Sequence, residues 1–97
     1  MASQFDWFQA PTLGLSGSLE EGNVTWFGDG KVNIVHNAID LHLAERGGKT
    51  AIIWEPNDPA AEVQRLTYAQ LHTRVSEFGA ALRNRGVSKG DRVVLYM

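Results

Sequence analysis

Gly48-Lys49-Thr50 looks most like phosphate chemistry, because a Gly-Lys-Thr triplet closes the loop whose backbone N–H groups cradle phosphates. The full pattern needs a glycine five positions before Gly48, where this chain has Leu43, and it runs from strand to helix. Here the periodicity runs from helix to strand, so the end of a helix is the better reading. Gly28-Asp29-Gly30 is not a dinucleotide fingerprint, since Asn33 stands where a third glycine belongs. His36 and His42 lie six residues apart and would point about 120° away from each other on one helix. With His72 on a different helix, structural or solvated histidines fit better than a zinc site. Arg83, Arg85, Lys89 and Arg92 gather near the end of the second helix, where cations complement the helix dipole; phosphate recognition is the rival reading. The paired carboxylates Glu20-Glu21 sit in a glycine-punctuated arm, and no Ser-His-Asp or Cys-His arrangement assembles. No residue is therefore assigned a catalytic, cofactor-binding or metal-binding role.

The elements that would position these groups follow from pattern. Residues 1–23 carry Pro11, Gly14, Gly17 and Gly22 without a sustained period and read as an extended arm. Its Phe5, Trp7 and Phe8 are expected to dock on a larger body, given the area such rings must cover. Val24–Phe27 and Lys31-Val32 flank Gly28-Asp29-Gly30 and predict a tight hairpin. Asn33 predicts the N-cap of a helix over 34–46 that ends at Gly47-Gly48. Thr50–Glu55 and Val63–Thr67 predict an antiparallel pair across a loop of about six to eight residues. Thr67 with Gln70 forms a capping-box pattern, Leu71, Val75, Phe78 and Leu82 make one apolar stripe, and Gly86-Val87 predicts the helix stop. After a turn at Ser88–Asp91, the run Arg92–Met97 reads as a strand buried on both faces of a larger sheet. Such a strand requires neighbours and a crossover helix, so the sequence reads as an incomplete α/β domain.

Composition narrows the class. Of the 97 residues, 43% are hydrophobic, which argues against disorder, and a net charge of −2 offers little attraction to nucleic acid or an anionic membrane. There are no cysteines, so no disulfide framework or cysteine zinc site exists. The start lacks the basic and apolar regions of a signal peptide, no run is long enough for a membrane span, and a cytoplasmic location is the expectation. Asn23-Val24-Thr25 matches a glycosylation sequon, read as an accidental match in that setting.

Six segments in order resemble the N-terminal region of AMP-forming acetyl-CoA synthetases. They are Asp6-Trp7-Phe8, Gly22–Asn33, His36–Leu43, Lys49–Pro59, Leu66–Leu71 and Gly86–Val93. The later segments are shared by the wider adenylate-forming superfamily, while the hairpin, the first helix and Trp54-Glu55 narrow the resemblance to the acetyl/propionyl branch. Ala38 stands where that family usually has Cys, and Leu41 where it usually has Arg. The resemblance implies an N-terminal region at 1–42 and the start of an AMP-binding domain at 43–97. It also implies a parent reaction in which acetate, ATP and CoA give acetyl-CoA, AMP and pyrophosphate with Mg²⁺. The family's phosphate loop, ribose-binding acid and mobile-domain lysine have no match in these residues. ATP, CoA and Mg²⁺ are therefore expected of a longer enzyme and not of this segment.

The fold expected is thus α/β: an N-terminal arm and hairpin, two main helices, an antiparallel strand pair and the first strand of a larger mixed sheet. The function expected is an inactive scaffold segment whose partner is the rest of the synthetase chain, with propionate as the rival acyl group. A rival class is a short non-catalytic protein that binds a partner, or itself, through an exposed strand at 92–97.

Overall fold

The computed structural model describes residues 2–96 and divides into two compact units, Met1–Leu41 and His42–Met97. In the first unit the arm does not extend away. It folds back along the segment that follows it, so that two short antiparallel ladders nest one inside the other. The inner ladder joins β2 (Leu15–Ser16) to β3 (Thr25–Trp26), with Leu15 opposite Trp26 and Ser16 opposite Thr25. The outer ladder joins β1 (Trp7–Gln9) to β4 (Lys31–Val32), with Trp7 opposite Val32 and Gln9 opposite Lys31 across an irregular step.

This pairing corrects the hairpin expected between 24–27 and 31–32. Those two runs are joined by a turn in which Gly30 N–H donates to the Phe27 carbonyl at 2.9 Å, yet each run pairs with a piece of the arm. The aromatics explain the choice. Trp7 lies 5.7 Å from Phe27 and 6.2 Å from Phe5 between ring centroids, in tilted and edge-on arrangements that favour ring packing. A Cβ at Gly30 would stand 2.6 Å from the Trp7 ring, so only glycine lets the turn pass beneath the indole. Phe27 itself sits at φ 50°, a left-handed conformation costing a non-glycine residue roughly 1–2 kcal/mol. Its ring contacts with Trp7 and Trp26 offset that cost.

The single helix expected over 34–46 is also corrected. α1 (Ile34–Ala38) stops at Ile39, whose φ −122° and ψ −61° are not helical; a 3₁₀ turn at Asp40–His42 and a short α2 (Leu43–Arg46) follow. Asn33 does cap α1, its side-chain oxygen accepting from the N–H groups of Val35 and His36 at 2.9 and 3.2 Å. Ile39, at 8% exposure, is the one buried hydrophobic side chain among the described residues.

In the second unit β5 (Thr50–Trp54) pairs antiparallel with β6 (Gln64–Thr67), with Ile52 opposite Leu66 and Trp54 opposite Gln64. The register slips between Thr50 and Ile52. α3 (Tyr68–Asn84) follows directly and packs on β5, β6 and α2. Its capping box closes in both directions: Gln70 N–H donates to Thr67 Oγ1 at 3.2 Å, and Thr67 N–H to Gln70 Oε1 at 2.9 Å. At the other end Val87 N–H reaches the Leu82 carbonyl at 3.1 Å and Gly86 N–H the Arg83 carbonyl at 2.9 Å. With Gly86 at φ 87°, this is the Schellman stop that the Gly-Val pair predicts.

The strand expected over 92–97 is not formed in residues 92–96, and Met97 lies outside the described residues. Val94, Leu95 and Tyr96 are 89, 73 and 101% exposed. A ladder needs a second row of backbone donors and acceptors, and no strand among the described residues lies beside this run.

Candidate functional site

The first unit concentrates its polar contacts around the imidazole of His36. Asn33 caps α1 and so sets the rotation of the helix, which places His36 and Asn37 toward the segment leading into β1. His36 Nε2 lies 3.1 Å from Asp6 Oδ2, and Nδ1 lies 3.2 Å from Asp40 Oδ2, one helical turn further on. The ring is part-exposed, and Phe8 packs against it with centroids 5.2 Å apart. Beside it the Asn37 amide grips the Asp6 backbone in both directions. Asp6 N–H donates to Asn37 Oδ1 at 2.8 Å, and Asn37 Nδ2 donates to the Asp6 carbonyl at 3.0 Å. The hydrogen bond to Asp6, then that to Asp40, raises the His36 pKa above its ordinary value of 6.5.

A second polar junction ties the arm to the 27–30 turn. Asp29 accepts from Thr12 Oγ1 at 2.6 Å and from Thr12 N–H at 3.0 Å, while Gln9 Nε2 donates to the Asp29 carbonyl at 2.8 Å. The Thr12 side-chain and backbone bonds hold the Asp29 carboxyl below its ordinary 3.8. Asp29 thus serves the fold, and the glycines around it serve the turn.

The sequence singled out His36 but not its two carboxylates. Asp6 is 30 residues away, and only the folding-back of the arm brings it near. Asp40, four residues on, was the legible partner, since that spacing stacks side chains on one helical face. His42 goes elsewhere, edge-on to Tyr68 at 5.7 Å in the second unit. No group of three or more His, Cys, Asp or Glu among the described residues is arranged to hold a metal ion. The imidazole stands between two carboxylates, one at each ring nitrogen.

In and beside the Gly48-Lys49-Thr50 stretch, Lys49 and Gly47 turn their carbonyls to the first turn of α3, accepting from Tyr68 N–H at 3.1 Å and Ala69 N–H at 3.0 Å. Lys49 N–H is itself used by the Arg46 carbonyl at 2.8 Å. A phosphate cradle needs N–H groups free at a helix start, and here Tyr68, Ala69 and Gln70 all donate within the protein. Arg83, Arg85, Lys89 and Arg92 are exposed on the end of α3 and the loop beyond it. Lys89 lies in a turn closed by Ser88 N–H donating to Asp91 Oδ2 at 2.7 Å, and Arg92 Nη1 donates back to the Gly90 carbonyl at 3.3 Å. Among the described residues no buried polar or charged side chain draws these four cations together. A mostly apolar, open surface hollow is lined by Ser3, Phe5, Trp7, Ala10 and Pro11. Among the described residues no helix is long and apolar enough to cross a membrane.

Comparison with known proteins places this framework. Residues 39–97 match the family of AMP-binding enzymes, and residues 1–38 match the acetyl-coenzyme A synthetase N-terminus. An acetyl-coenzyme A synthetase of Xanthomonas oryzae pv. oryzae (strain MAFF 311018) is 46% identical over 98 residues, which is 99% of this chain and 15% of that protein. Those of Bradyrhizobium sp. (strain ORS 278) and Xylella fastidiosa (strain Temecula1 / ATCC 700964) are 48 and 43% identical, again with 15% of their length covered. The chain spans about 15% of the length of the curated relatives it matches. It belongs to the AMP-binding enzyme family, and its first 38 residues are of the acetyl-coenzyme A synthetase N-terminal type.

Proposed function

We propose that this chain is the N-terminal structural segment of an AMP-forming acetyl-CoA synthetase, without activity of its own. The observation that carries the proposal is the surface it leaves uncovered. The chain exposes 8468 Å². Two separate compact globules sharing its mass would expose only about 6,600 Å² in all. Ile53, Trp54 and Phe78 are 58, 53 and 59% exposed, as is suited to a face that packs on further polypeptide.

In this reading residues 1–42 form the synthetase-type N-terminal region and residues 43–97 begin the AMP-binding domain. The reaction joins acetate to ATP as acetyl-adenylate and then passes the acetyl group to the CoA thiol. Such chemistry relies on positioning and on cationic stabilisation of phosphates, with Mg²⁺ supplied to the nucleotide. The residues present here supply none of those groups. Their part is to brace the domain through the Thr67-capped helix and the β5–β6 pair. The partner is the rest of the synthetase chain, with residues 92–96 completing a sheet beside it, and the whole works in the cytoplasm.

Two measurements test this. The purified 97-residue chain is expected to give no acetate-dependent pyrophosphate exchange; measurable exchange would refute the scaffold role. Reading the coding sequence past the Met97 codon is expected to reveal the continuing synthetase frame. A stop codon there would favour the short binding protein instead.

A further inference from the structure

We propose that His36 is a proton-dependent clasp that fastens the Asp6–Gln9 arm to α1 and releases it as the pH rises. The argument is one of hydrogen-bond valence. An ionised carboxylate only accepts, and Asp6 Oδ2 and Asp40 Oδ2 stand 3.1 and 3.2 Å from the two ring nitrogens. A neutral imidazole has one N–H and can satisfy one of them, leaving the other carboxylate facing a lone pair. The imidazolium has two N–H groups and satisfies both at once. The geometry therefore belongs to the charged ring.

The groups around the ring agree with this. Asp6 faces it from the segment before β1 and Asp40 from the 3₁₀ turn after α1. Phe8 of β1 packs its ring against the imidazole in a tilted arrangement, with centroids 5.2 Å apart. Asn37, neutral at every pH, holds the Asp6 backbone through two bonds and forms the permanent half of the clasp. The His36 bond to Asp6 spans 30 residues and thus joins the arm to the helix, whereas the bond to Asp40 stays local. Deprotonation leaves one N–H for two carboxylates, and the arm then meets α1 through the neutral Asn37 contact, while the β1–β4 pairing, the Gln9 bond to Asp29 and the Trp7–Phe27 packing still hold it to the residues before α1. The hydrogen bonds raise the His36 pKa, so this contribution is complete below 6.5 and is lost as pH rises through the higher folded value.

The test uses the full 97-residue chain, followed by NMR from pH 5.5 to 8.5. His36 ring nitrogens and the Asp6 amide are read together, with exchange corrected for its intrinsic pH dependence. His36 is expected to titrate above 6.5, with both nitrogens protonated below the transition. Protection of the Asp6 amide is expected to fall several-fold with the same midpoint, while the Gln70 amide in the α3 capping box stays constant. Asp6→Asn, which keeps the side chain's size and removes its charge, is expected to lower the His36 pKa and flatten the Asp6 amide response. Asp40→Asn is expected to lower the pKa and to weaken the Asp6 amide response, because an amide at 40 can donate to Nδ1 and leave the one N–H of the neutral ring for Asp6. A flat Asp6 amide through the His36 transition would overturn the proposal. So would a His36 pKa at or below 6.5, a pKa unmoved by Asp6→Asn, or loss of Gln70 protection in parallel, which would mean general unfolding.

Discussion

Asp29 and His36 sit in the same unit and respond to pH in opposite senses. Thr12 holds the Asp29 carboxyl below 3.8, so its contribution to stability is present above that value and is lost as pH falls through the lower folded pKa. Thr12→Val keeps the shape and removes the hydroxyl that bonds Asp29 at 2.6 Å. The Asp29 pKa is expected to move back up toward 3.8, read by side-chain carboxyl NMR; an unchanged value would contradict the assigned cause. At Asp29 the sequence showed a turn residue between glycines, and that reading holds. What it did not show is that the carboxylate would reach across to Thr12, because the partner lies 17 residues earlier on the returning arm. His36 carries the same lesson, its helical neighbour Asp40 being legible and Asp6 not.

Among the elements, α3 was the most legible because its signals are local. The capping box, the Schellman stop and the apolar spacing each lie within a few residues, and all are resolved by bonds inside the segment. Thr67→Ala is expected to cost about 1 kcal/mol in chemical denaturation of the α3 signal, through the orphaned Gln70 N–H. Phe78 lies on the same apolar stripe yet is 59% exposed, so Phe78→Ser in this chain is expected to change stability by no more than about 0.5 kcal/mol. A loss of several kcal/mol would show that the residue is covered in solution. The elements that departed from expectation are those whose partner is distant. The 24–27 and 31–32 runs had every local mark of a hairpin, but the Trp7 ring lying over Gly30 binds the arm to this segment instead. The 34–46 helix breaks where Ile39 leaves helical geometry to become the buried side chain of its region.

For the molecule as a whole, the controlling fact is the amount of apolar surface left in water. Ile53, Trp54, Phe78, Val94 and Leu95 are all more than half exposed. The isolated chain is expected to bind the dye ANS and to unfold with a shallow denaturant dependence, since less surface remains to be uncovered. A steep transition without dye binding would contradict the uncovered face. The same surface explains why residues 92–96 read as a buried strand and stand unpaired here. Their sequence is suited to a sheet interior, and the neighbours that would make one are not among these residues.

The sequence by itself determined the family resemblance, the capped and stopped α3, the β5–β6 pair and the Asn33 cap, all features whose information lies within one segment or in the order of segments. Only the tertiary structure decided that the arm returns along residues 24–32 and that His36 lies between Asp6 and Asp40. It also decided that the Gly48-Lys49-Thr50 region turns carbonyls toward α3. Local bonding choices are written in neighbouring residues. Which of several apolar partners a ring or strand meets depends on packing between segments far apart in the chain, and no local pattern encodes that choice.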